Sequence, residues 1–163
     1  MLKPLSQKIV GIDINPDNVQ FLKDRFQNDF NLSFYVTNGV QVPPEVEEGV
    51  TFVYCFDAMV HFDKEIVGMY LQEAYRLMVP GAMGFIHHSQ TPRCPVTTEN
   101  GFCSNPDIIG NDPNNPHQRN VHSKEEFILQ ANGAGLNVLT QVDVSWGDYK
   151  AIDAISIIQK PLA

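Results

Sequence analysis

Along this chain short apolar runs alternate with segments of helical spacing. Lys8 to Ile14 is a brief apolar run with an acid near its end, the pattern of a buried parallel strand. Asn15-Pro16-Asp17 opens a helix, with Asn15 suited to the N-cap and Pro16 to the first helical position. Val19, Leu22 and Phe26 recur at helical spacing and predict that the helix reaches Asn28. Leu32 to Val36 predicts the next strand, with Asn38-Gly39 as its turn. A polar, acidic connector follows from Pro43 to Gly49. Val50 to Phe56 then predicts a third strand, and Asp57 to Phe62 a loop.

Lys64 to Val79 is strongly amphipathic, with Ile66, Met69, Tyr70, Ala74, Leu77 and Met78 on its apolar side. Pro80-Gly81 breaks that helix, and Ala82 to His88 predicts a fourth strand. Ser89 to Val121 is rich in Pro, Asn, Thr and Ser and has no periodicity. With His122 it makes a loop over 89–122, of the length usually found in lids and binding loops. Ser123-Lys-Glu-Glu126 fits a capping box, and Gly133 and Gly135 end the helix it starts. Leu136 to Val144 and Ala151 to Ile158 predict two final strands around Trp146-Gly147-Asp148. Strands alternating with helices predict an α/β fold, a mainly parallel sheet with helices on both faces. The short final turn adds an antiparallel terminal pair at the edge. No internal repeat or linker interrupts the 163 residues, so a single domain over 1–163 is expected.

Composition narrows the function. The net charge is -8 and the eleven Lys and Arg are scattered, so the chain lacks the basic stripe that neutralises nucleic-acid phosphates. No apolar run approaches the roughly 20 residues of a membrane span. The first residues show no signal-peptide pattern, so a soluble cytoplasmic protein is expected. The cysteines agree with that compartment. Cys55 reads as a small core residue; Cys94 and Cys103 flank a loop and could pair, with reduced thiols the favoured reading.

Gly11-Ile-Asp13-Ile-Asn15-Pro16 resembles the second-strand motif of class I S-adenosyl-L-methionine (SAM) methyltransferases. Three further segments are similar to that family, in its order. Thr37-Asn38-Gly39 falls at the end of its third strand, Phe52 to His61 at its fourth strand and following loop, and Arg76-Leu-Met-Val-Pro80-Gly81 before its fifth. Asp153 to Lys160 resembles its last strand. The resemblance implies a Rossmann-like fold, with SAM bound outside the carboxyl ends of the strands and S-adenosylhomocysteine as product. His87-His88-Ser89, Asn115-Pro116-His117-Gln-Arg119 and Val144-Ser-Trp146-Gly147 look like a bacterial methyltransferase subgroup associated with polysaccharide or secondary-metabolite genes.

The resemblance implies that Asp13 takes the ribose hydroxyls, with Ile14 beside it, and that Asn38 and Gly39 meet the adenine. Phe56 and Asp57 would lie along the methionine and methyl end. Asp13 also reads as a helix-capping acid, and Asn38 as a plain turn residue. An acceptor hydroxyl calls for a general base, for which His61, then His88, then His117 are the candidates. His61 equally suits a backbone-bonding role in its loop. Alternation sends one of His87 and His88 toward the pocket and the other away. For the same reason the two rarely share one ion, so no metal is expected. Trp146 and Phe62 are candidates for the acceptor wall or for packing.

The family's glycine-rich first strand is missing, because only twelve residues precede Asp13. The chain therefore reads as a methyltransferase domain entered just before its second strand. In the family that strand is central, so its absence would expose two strand edges, with three outcomes open: the gap closes, another chain fills it, as in a homo-oligomer, or the chain is a fragment, the favoured case, with SAM affinity weak or absent. The expected function is methyl transfer to oxygen or nitrogen of a small molecule or sugar. The alternative is a catalytically silent methyltransferase-like protein that binds a partner. An actin-like ATPase would need glycine and a hydroxyl residue after the acid, where Asn15-Pro16 stands. A dinucleotide dehydrogenase would share Asp13 but not the Pro-Gly turn and terminal antiparallel pair.

Overall fold

A computed structural model describes residues 6–90, 119–120, 122–146 and 149–162. Cys94, Cys103 and His117 lie outside them. The chain divides into two compact units, one ending at Glu47 and one beginning at Glu48.

The first unit contains β1 (Ile9–Asp13), α1 (Pro16–Arg25) and β2 (Leu32–Val36). The strands are parallel, in register from Ile9 against Leu32 to Asp13 against Val36. Asn15 caps α1 by accepting from the Asp17 N–H, with Pro16 in the first turn. The helix stops at Arg25, short of the predicted Asn28. Phe26 leaves helical geometry as the C-cap and its ring stacks on Phe34 at 5.8 Å. Gly39 has φ +90, a left-handed conformation that favours glycine.

The second unit contains β3 (Val50–Cys55), a 3-10 turn over Met59–His61, α2 (Lys64–Leu77), β4 (Met78–Ser89), α3 (Lys124–Gly133), β5 (Asn137–Trp146) and β6 (Tyr149–Gln159). The sheet order is β3-β4-β6-β5. β3 and β4 are parallel, whereas β6 is antiparallel to both β4 and β5. The predicted terminal pair is present, with β5 at the edge and β6 inside. The boundary between α2 and β4 falls earlier than the pattern suggested. Pro80 drives the residue before it into extended backbone. The chain has already turned at Met78, which pairs with Val50, so β4 runs through Pro80-Gly81.

Helices α2 and α3 share one face of this sheet. Val67, Leu71 and Ala74 of α2, Phe127 and Ala131 of α3, Ala82 and Ile86 of β4 and Ile158 of β6 form one buried cluster. Gly84 makes it possible, since a Cβ there would sit 2.7 Å from Ile158 Cγ1. The capping box of α3 is complete: Glu126 N–H donates to Ser123 Oγ and Ser123 N–H to Glu126 Oε2. Cys55 packs against the same core, and burial pushes its thiol up. Among the described residues no helix is long and apolar enough to cross a membrane.

His88 belongs to this core, which corrects its expected role as a base. It is fully buried and stacks flat on Phe127, with ring centroids 3.9 Å apart. Its Nδ1 donates to the Ser89 carbonyl at 2.7 Å, which leaves Nε2 to accept from Ser156 Oγ at 2.7 Å. Both nitrogens are therefore committed. Burial, the largest cause, lowers its pKa to about 4, and burial also lowers that of neighbouring His122. A histidine kept neutral in the fold but free to protonate when unfolded destabilises the fold as pH drops below its unfolded value, until the folded value is reached. Urea unfolding should therefore show stability falling by about 2 kcal/mol for His88 alone between pH 7 and pH 5, with His122 adding in the same direction. An unchanged midpoint across that interval would contradict the burial of both rings.

Candidate active site

The candidate residues lie at the carboxyl ends of parallel strands, where α/β folds bind ligands. In the first unit Asp13 ends β1, and its backbone carbonyl accepts from Thr37 N–H, which fixes it beside the end of β2. Its carboxylate is half-buried. Oδ1 accepts from Asn15 N–H at 2.8 Å and Oδ2 from Asn18 Nδ2 at 3.2 Å. The capping-type role read from the sequence is thus present. An ionised carboxylate has about four acceptor positions, so these two bonds leave room for a vicinal diol. Ile14 is 64% exposed and sits against Gly39.

Asn38 is placed differently from the adenine-accepting role. Its amide oxygen already accepts from Val40 N–H at 3.1 Å and Gln41 N–H at 2.9 Å. It is a turn-forming side chain, the reading that the sequence held open beside the ligand role.

In the second unit the chain leaves β3 through Phe56 and Asp57. Asp57 has φ +56, a left-handed conformation that costs a non-glycine residue of order 1–3 kcal/mol unless its surroundings hold it. Its N–H donates to His87 Nδ1 at 3.1 Å. The Phe56 ring stacks on the His87 ring at 4.7 Å, and Trp146 lies edge-on to Phe56 at 6.4 Å. Phe62, by contrast, stacks on Tyr70 beside the core and is not part of this aromatic group. His61 is exposed at the end of the 3-10 turn. Its carbonyl accepts from Asn120 Nδ2 at 2.7 Å, and Asn120 N–H donates to the Val60 carbonyl.

Beneath this surface lies a charged group that the sequence did not single out. Asp153 of β6 is fully buried. Its carboxylate accepts from Arg119 Nε at 3.0 Å and 3.2 Å and from Trp146 Nε1 at 2.7 Å. His87 Nε2 lies 3.2 Å from Oδ2. Burial alone would raise the Asp153 pKa; contacts from His87, Arg119 and Trp146 outweigh it and hold the carboxyl below its ordinary value. Arg119 also comes within 4.0 Å of the exposed Asp57 carboxylate. The sequence signal was available: an acid among Ile152, Ala154 and Ile155 in an apolar strand needs buried partners. Alternation had raised His87 and His88 as opposites, and it is His87 that faces the strand-end group. Among the described residues no three metal-ligating side chains converge.

The match to known proteins follows this geometry. Residues 1–81 match the family model of the methyltransferase domain. No curated protein matches the chain. A SAM-dependent methyltransferase from Methanosarcina mazei superposes with TM-score 0.68 at 15% identity, over 99% of this chain and 86% of that one. The N-methyltransferase NodS from Bradyrhizobium japonicum gives TM-score 0.64 at 11% identity, over 97% and 76%. The [4+2]-cyclase SpnF gives 0.66 at 14% identity, over 96% and 68%. Identities this low establish a shared fold and leave each protein's reaction its own. Over residues 1–81 the chain matches the methyltransferase domain family, and its fold is the Rossmann-like one of class I SAM-dependent methyltransferases.

Proposed function

We propose that this chain is a SAM-dependent methyltransferase acting on a small-molecule or sugar acceptor. The observation that carries the reading is the half-buried Asp13 carboxylate at the carboxyl end of parallel β1, with acceptor positions left over for two ribose hydroxyls. Ile14 and Gly39 would offer adenine an apolar contact and a surface without a Cβ. The Asn38 oxygen, already engaged, is left out of that set. Phe56 and Asp57 are assigned to the methionine and methyl side. When bound, SAM supplies an electrophilic methyl group on a sulfonium. The residues of the chain have to bind, align and, for a hydroxyl acceptor, take a proton. His61 is proposed for that proton because it is exposed directly after β3, on a turn held by Asn120. The scattered positive charge and net acidity fit a small acceptor better than a nucleic acid.

A second reading is favoured by the strand edges. Among the described residues β1 pairs only with β2, and β3 only with β4, leaving each an open edge suited to another chain. A methyltransferase-like binding protein would use those edges and take no cofactor. Calorimetric titration with SAM and S-adenosylhomocysteine separates the two, because a signal supports the enzyme and silence at millimolar ligand sinks it.

Asp13→Ala should weaken S-adenosylhomocysteine binding by about tenfold or more, the worth of hydrogen bonds to a charged group. Unchanged affinity would remove Asp13 from the ribose. With an acceptor found by screening hydroxylated and amino compounds against labelled SAM, His61→Ala should lower turnover of a hydroxyl acceptor about a hundredfold. Its cofactor affinity should stay as in the parent protein. Parent-level turnover would show that His61 takes no proton.

A further inference from the structure

We propose that His87 is a positioning residue: its Nδ1 fixes the backbone of Asp57, while Asp153, itself held by Arg119, faces the His87 ring from behind. The functional part of this inference rests on assigning the β3 end to the methyl side.

The geometry sets the roles. Nδ1 accepts the Asp57 N–H at 3.1 Å, so the ring proton sits on Nε2, facing Asp153 Oδ2 at 3.2 Å. His87 and Asp153 are both fully buried. Asp153 is in turn fixed by Arg119 and by Trp146. At the exposed end of this series stands Asp57, in a left-handed conformation at φ +56. A strained residue persists only where its surroundings determine it, and the His87 bond is the contact that reaches its amide. The same ring also carries Phe56, stacked at 4.7 Å, and Trp146 at 6.0 Å. One imidazole thus sets both the carboxylate and the aromatic surface at the end of β3.

A purely structural explanation is weaker. Tying β4 to β6 needs no buried charge, because apolar residues of similar volume do so without the desolvation cost. The two strands are already joined by a ladder from Met83–Gln159 to Ser89–Asp153. What an apolar pair would not supply is an acceptor for the Asp57 N–H.

The test uses His87→Phe, which keeps a stacking ring and loses both nitrogens, and His87→Asn, whose amide oxygen replaces Nδ1 without reaching Asp153. Residue-resolved amide exchange should show Asp57 exchanging about tenfold faster in His87→Phe, the loss of one hydrogen bond. Amides of β4 and β6 should be unchanged, and His87→Asn should restore Asp57 to within a few-fold of the parent protein. Should His87→Phe fail to fold, Asp153→Asn replaces it, with a smaller rise at Asp57 expected. Unchanged Asp57 exchange would overturn the proposal. So would an equal rise throughout β4 and β6, which marks a merely structural histidine. Titration then probes the consequence: His87→Phe should weaken S-adenosylhomocysteine several-fold and leave adenosine affinity unchanged, and equal losses for both would overturn the methyl-side role. If the parent protein bound neither, the cofactor reading would fail, while the exchange result would still decide whether His87 positions Asp57.

Discussion

The second unit is organised around one buried carboxylate. Asp153 sits inside the sheet, and an unpaired charge there would cost several kcal/mol. Its partners come from separate stretches: Arg119 from the end of the long segment, Trp146 from β5 and His87 from β4. All must arrive together or none is adequate. That requirement also fixes register. Asp153 lies opposite Ser89 and Val144. A slip of one residue would turn it into the apolar cluster under α2 and α3, and its donors would be on the wrong face.

Adjacent positions on β4 show how far one residue of register matters. His87 faces the charged group and the end of β3, whereas His88 faces Phe127 and Ser156. The sequence shows that the two point oppositely, because alternation follows from strand geometry. It does not show which face carries α2 and α3. That depends on which side of the sheet the connection after β3 takes. His88 therefore looked like a base from the sequence and is a core ring in the fold.

The same division holds elsewhere. Local physics was legible: the Asn15 cap, the Ser123–Glu126 box and the antiparallel terminal pair all depend on near neighbours in sequence. Partners distant in sequence were not. Arg119 meets Asp153 across 34 residues, and the Asp57 N–H meets His87 across 30. Asn38 fell between, since an amide after a strand serves a ligand or its own turn equally well. Here the turn has both lone pairs of its oxygen.

These anchors bear on what the strand ends are able to do. Methyl transfer depends on alignment more than on acid–base strength, so its residues need rigid support. The chain departs at Gln90, whose N–H donates to the Ile152 carbonyl and whose Nε2 donates to the Ala151 carbonyl. It is held again at Arg119 by Asp153 and at Asn120 by the carbonyls of Val60 and His61. Both ends of the long segment are therefore attached beside the start of β6 and the turn after β3. The Asn120 bonds also hold the turn that carries His61, and Arg119, while fixed on Asp153, comes within 4.0 Å of the Asp57 carboxylate. Loss of the Asn120 bonds would therefore act directly on the turn after β3 that carries His61.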